Sequence, residues 1–342
     1  MIKVLNEQTN YWLVRTAGGA FYEQFVAGSY IAIGWNEVSD LDLIKGSKED
    51  EAKKDRVLKT IREYVDKDAE KETQPKGERE RETQKSRIFN QINRFVNEMA
   101  IGDFILIPSQ RSNLIEFGTI TSDSDIFKKE FGDFEEGECD FIKRRKVTWL
   151  HRENRDQLDP YLYGLIYSQH AISSANDYAH FIDRAVNRFF IKGNKAHMIL
   201  EAGKESDNSC LELVRLLNSL LDLVDGFNRV TGSELNKDSV QVKINVQSNG
   251  LIELFGHVDV IAIIGLVLAA LFGGKVSLFK LINFESTGLL ELVKGFIAQN
   301  QNNALEREKL ALQREMQTLN VKTPPELQIT GQDEEQADTK NI

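Results

Sequence analysis

Five short runs rich in β-branched and aromatic residues, YWLVR, YIAIGW, GDFILIP, IEFGTI and KVTWL, all fall within the first 152 residues of a 342-residue chain. A Glu- and Lys-rich stretch from Gly46 to about Met99 splits them into two sets. Runs of this kind, bounded by glycines and polar turns, read as strands. Residues 1–152 therefore form a small β-structure with a charged helical insertion at 46–99, and such a structure removes its free edges by closing into a barrel. Gly18 and Gly19 suit a turn between the first two strands. Within the insertion, Ser47 and Asp50 resemble a capping box, and Val57, Ile61 and Val65 follow at helical spacing. Lys67 to Lys85 is nearly all charged or polar and reads as a solvated loop. A second amphipathic helix carries Ile88, Ile92, Phe95, Val96 and Met99.

Beyond residue 152 the texture changes. Residues 153–195 read as a helical connector with a stripe at Phe181, Ala185, Phe189 and Phe190. Residues 196–322 read as an α+β module. It opens with HMILEAG and continues into a helix whose capping box is Ser209 and Glu212 and whose apolar face is Leu213, Leu216, Leu217, Leu220 and Val224. VQVKINV and LIELFG flank Ser248-Asn249-Gly250, which predicts a hairpin. Next comes an apolar helix at 260–272, closed by Gly273 and Gly274. Another helix is expected after Ser286, and the polar tail 323–342 is expected to be disordered. The fold class is α+β.

Composition narrows the function. Hydrophobic residues make up 41%, enough for real cores, and a net charge of −10 excludes a surface coated in basic charge for nucleic acid. Any nucleic-acid contact must be local. Cys139 and Cys210 form no CxxC and no zinc pattern, and MIKVLNEQTN has no secretory h-region, so a cytoplasmic protein is expected. The 260–272 run is shorter than the roughly 20 residues that span a bilayer. It packs in a core, mediates a homo-oligomer contact, or associates with a membrane. No Walker loop, HExxH or GxSxG occurs, and the five histidines are scattered. Neither a cofactor nor a metal is implied, and the balance leans against an enzyme. Gln241-Val242-Lys243 is similar to the QxK of Mrr-like nucleases, but the acidic partner upstream is missing and an ordinary strand explains it.

All three tryptophans, Trp12, Trp35 and Trp149, lie in the strand runs of the first part. Together with the order YWLVR, IAIGW, GDFILIP, FGTI, KVTWL, they give residues 8–152 a resemblance to PUA-like domains of the EVE/YTH kind, found at the front of prokaryotic restriction and defence proteins. The resemblance implies a barrel that holds a flipped or modified base of DNA or RNA in an aromatic pocket, with Trp35 at the position of the pocket tryptophan. The physics is that a base taken out of its stack must be restacked and hydrogen-bonded. Asn36 can meet a base edge, Ser109 can add a polar contact, and Trp12 or Phe117 can supply a second wall, whereas Trp149 reads as core. Arg15, Arg111 and the run Lys143, Arg144, Arg145 are candidates for phosphate contacts, though the run reads first as a solvated strand edge. The function these readings imply is a nucleic-acid sensor in antiviral defence. Its reader would be coupled to a self-associating or membrane-associated module, with a degenerate metal-dependent nuclease or a non-enzymatic adaptor as alternatives.

Overall fold

A computed structural model of the chain describes residues 2–70, 77–127, 134–202, 209–245, 250–271 and 303–325. The contacts divide it into two units, Gln8–Val186 and Met1–Glu7 with Asn187–Ile342. The first strand, β1 (Lys3–Leu5), thus belongs with the C-terminal part, where it pairs in parallel with a strand at 189–192.

The unit Gln8–Val186 is built on a seven-stranded sheet. Its strands are β2 (Tyr11–Val14), β3 (Tyr30–Ile33), β4 (Phe104–Pro108), β5 (Leu114–Ile120), β6 (Asp125–Ile126), β7 (Lys143–Asn154) and β8 (Ile172–Ser174). The order is β3-β7-β5-β4-β2-β8, with β6 on β7. The sheet curls into a half-barrel, and among the described residues β3 and β8 do not pair, so the expected closed barrel is corrected to an open one. The sheet also does not end at residue 152. β8 runs antiparallel to β2, and Arg15 N–H donates to Ala171 O at 2.8 Å. Residues 153–186 therefore complete this unit instead of forming a separate connector. They contain two short α-helices, two 3-10 turns and no continuous helix. The expected Phe181–Phe190 stripe breaks at residue 186, with Phe189 and Phe190 in the other unit's sheet.

Around the sheet lie α1 (Tyr22–Gly28), α2 (Leu41–Gly46), α3 (Glu51–Ala69), α4 (Glu78–Asn93), α5 (Leu162–Ile166) and α6 (Ala179–Val186). The N-cap of α3 is Asp50, whose Oδ1 accepts from Ala52 N and Lys53 N; Ser47 instead ends α2, its Oγ donating back to Ile44 O. Val57, Ile61 and Val65 are buried as their spacing requires, against Ile88 and Ile92 of α4. The expected loop at 67–85 is corrected. α3 runs to Ala69 and α4 starts at Glu78, with 71–76 outside the described residues. Charged sequence is helical here because its charges pair. Arg62 bonds Asp66 at 2.9 Å, Glu78 at 2.7 Å and also Glu82, and Arg81 bonds Asp66 at 3.1 Å. Arg145, buried in β7, donates to the carbonyls of Phe95, Val96 and Met99, where a π-turn at Arg94–Glu98 leaves them unpaired.

In the other unit, β9 (Phe189–Lys192), β10 (Lys195–Ala202), β11 (Gln241–Asn245), β12 (Gly250–His257) and β13 (Val321–Lys322) join β1 in a six-stranded sheet of order β1-β9-β10-β12-β11, with β13 on β10. The 241–255 hairpin is antiparallel, with Lys243 opposite Glu253; its turn at 246–249 lies outside the described residues. Helix α7 (Cys210–Thr231) starts as expected, with Ser209 N–H donating to Glu212 at 3.3 Å. Its Leu216, Leu220 and Val224 pack with Ile261, Ile264 and Leu268 of α8 (Val258–Leu271) and Leu312 of α9 (Asn303–Thr318). The apolar run is thus core. No helix among the described residues is long and apolar enough to cross a membrane. The Gly273-Gly274 stop, the start of the segment after Ser286 and most of the tail lie outside the described residues.

One buried acid ties the strand ends of the first unit together. Asp103, 4% exposed, accepts from Asn10 N at 3.1 Å, Trp12 Nε1 at 2.8 Å and Ala100 N at 2.9 Å. Asp103→Ala strands three donors, each worth about 1–3 kcal/mol when left unpaired. Chemical denaturation should show a loss of roughly 3 kcal/mol or more, and a loss below about 1 kcal/mol would show that the three donors find other acceptors.

Candidate functional site

β3 is antiparallel to β7 and ends at Ile33, after which the chain must turn sharply. It does so through Trp35 at φ 59, a left-handed conformation that a bulky side chain rarely takes and that costs about 1–3 kcal/mol. Three contacts hold the turn. Lys143 Nζ donates to Trp35 O at 2.8 Å and to Val38 O at 3.0 Å. Asn36 Nδ2 donates to Asp140 O at 2.8 Å, and Asn36 Oδ1 accepts from Ile142 N at 3.2 Å. Val38 N closes back on Trp35 O at 3.1 Å.

The turn leaves the Trp35 side chain half-buried on the wall of a cavity of about 510 Å³. Arg15, Gly18, Arg87, Gln91 and residues 168–171 complete the lining. The size is that of a small-molecule or base pocket, commonly about 300–1,000 Å³. Each wall has its own cause. Arg15 follows β2 and donates through Nε to Ser168 O at 2.9 Å and through Nη2 to the carbonyls of Ile166 and Ser168, so it holds the 166–171 loop. Burial lowers its pKa. Gly18 lies in a turn that abuts another. Gly19, at φ 103, would place a Cβ 2.3 Å from Gln110 Cα, so only glycine permits that approach. Gln91 comes from the buried face of α4, and its Oε1 accepts from Ile172 N at 2.6 Å. Two arginines and His170 line the cavity and no carboxylate does, in a chain of net charge −10. Such a lining favours an anionic or acceptor-rich ligand.

Of the residues singled out from the sequence, the structure brings Trp35 and Arg15 together. The others lie elsewhere. The Asn36 amide is committed to the 140–142 backbone. Ser109 Oγ accepts from Leu114 N at 2.8 Å, Trp12 is 5% exposed, and Phe117 is fully buried. None of these four lines the cavity. Trp149 packs as expected, against Gly118 at a β-bulge, with Nε1 donating to Phe25 O at 3.3 Å. Arg111 is exposed, at φ 56. The run from Lys143 to Arg145 is not a strand edge, because here β7 is paired with β3 on one side and with β6 on the other. Lys143 and Arg145 point inward onto backbone carbonyls. Arg144 donates to Phe141 O and Cys139 O and stacks on Tyr30 and Phe127. Sequence reasoning missed Arg87, Gln91 and the 168–171 loop. One signal was present: Gln91 is a polar residue inside the Ile88, Ile92, Phe95 stripe.

Residues 11–175 match a family described as "Domain of unknown function (DUF8426)". Every residue lining the cavity lies within that span. No curated protein and no solved structure matches the chain.

Burial pushes the Lys143 ammonium down to about 8 from 10.5, with Glu37 opposing the shift. Between those pH values the unfolded chain holds a proton that the folded chain has released, so stability rises with pH across this window. The gain is on the order of 3 kcal/mol, and a neutral amine still has N–H groups for both carbonyls. In denaturant titrations from pH 8 to 10.5, Lys143→Met should remove this rise. Identical pH slopes in the two proteins would contradict a depressed lysine.

Proposed function

We propose that Gln8–Val186 is a nucleic-acid reader that takes one base, modified or unmodified, into the cavity beside Trp35. The observation that carries this reading is a tryptophan held in a strained conformation on the wall of a cavity lined by cations and amides and by no carboxylate. Strain kept in place by several contacts marks positions where geometry matters. An aromatic face restacks a base removed from its strand, worth about 1–3 kcal/mol, and the guanidinium of Arg87 suits the phosphate beside it. The chain's net charge of −10 favours a contact confined to the neighbourhood of this opening.

On this reading the unit ending at Ile342 is the responding part of the protein, and it acts by self-association in a prokaryotic antiviral response. Trp35→Ala should weaken binding of short single-stranded oligonucleotides roughly 10- to 100-fold in fluorescence anisotropy while thermal unfolding stays cooperative. Unchanged affinity in a folded variant would refute the reading.

A further inference from the structure

Gln91 is the most buried polar side chain in the cavity wall, 3% exposed, yet it uses only half of its amide. A backbone N–H can only donate, so the bond from Ile172 N at 2.6 Å identifies the bonded atom as the oxygen and fixes the amide's orientation. Among the described residues the other half, Nε2, has no hydrogen-bond partner. It is not among the buried side-chain polar atoms sealed without a partner, and Gln91 lines the cavity. A buried amide nitrogen with two unbonded N–H groups in a cavity wall suits an acceptor from the ligand. Arg15 supports the same polarity, since Nη1 has no partner among the described residues while Nε and Nη2 hold the loop. No carboxylate lines the cavity to accept from a ligand's amino group.

Resting on the base-reading function above, we propose that Gln91 determines specificity by donating through Nε2 to a ring carbonyl oxygen, so that the cavity selects keto bases over their amino counterparts. Selection follows because an amino group set against Nε2 leaves donors facing donors. A site built to bond one group rejects the analogue lacking it more strongly than an apolar pocket rejects a misfit. The element that supplies the reader is the charged insertion, anchored through Ile172 to the edge strand beyond β2.

The test uses the full chain and single-stranded oligonucleotides that differ at one central base. Hypoxanthine is compared with adenine, and uracil with cytosine. Wild type should bind the keto member of each pair at least about tenfold more tightly. Gln91→Glu keeps the acceptor for Ile172 N and replaces the N–H groups with an oxygen, so it should reverse the order. Equal binding of both members by wild type, or the same ratio in wild type and Gln91→Glu, would overturn the proposal. If the variant does not fold, the wild-type ratios alone decide. Failure to bind any oligonucleotide would refute the base-reading function itself, whereas binding without keto preference would remove only the role of Gln91.

Discussion

The candidate site depends on one buried ammonium. Lys143 sits inside the half-barrel at 0% exposure and holds the carbonyls of Trp35 and Val38. Burying a charge is costly, and the cost appears as a lysine pushed down to about 8. The two carbonyls it bonds belong to the turn that carries tryptophan at a positive φ. Asn36 adds two bonds to the same segment of β7's approach. A strained side chain, a buried cation and a committed amide thus form one device that aims an indole at a cavity.

The neighbouring parts follow the same economy of backbone carbonyls and cations. Arg145 closes the π-turn after α4 and so fixes the helix that presents Gln91. Arg15 closes the 166–171 loop on the opposite wall. Each cation donates to backbone carbonyls at a turn or loop, and burial without such partners would be prohibitive. Arg15 and Arg87 line the cavity although the whole chain is acidic.

Some of this was legible in the residues alone. Trp35 and Arg15 stand just past the ends of apolar runs, where strand-end side chains meet a mouth, and both reached the cavity. The 241–255 hairpin and the face of α7 followed from period and capping. Lys143 and Arg145 were misread because charged residues at alternate strand positions look solvated unless the carbonyls waiting inside are known. The 78–85 segment was misread because its helix is held by ion pairs with Arg62, which no apolar period reveals. The 168–171 loop has no periodicity at all, and only the pairing of β8 with β2 brings it to the site.

The central claim is that Trp35, alone of the three tryptophans, faces the ligand. The chain labelled with 5-fluorotryptophan should give three ¹⁹F resonances, one per tryptophan. Titration with a uracil-containing single-stranded oligonucleotide should move the Trp35 resonance in a saturable way and leave those of Trp12 and Trp149 in place. A Trp35 resonance that stays fixed while the oligonucleotide binds would contradict the account.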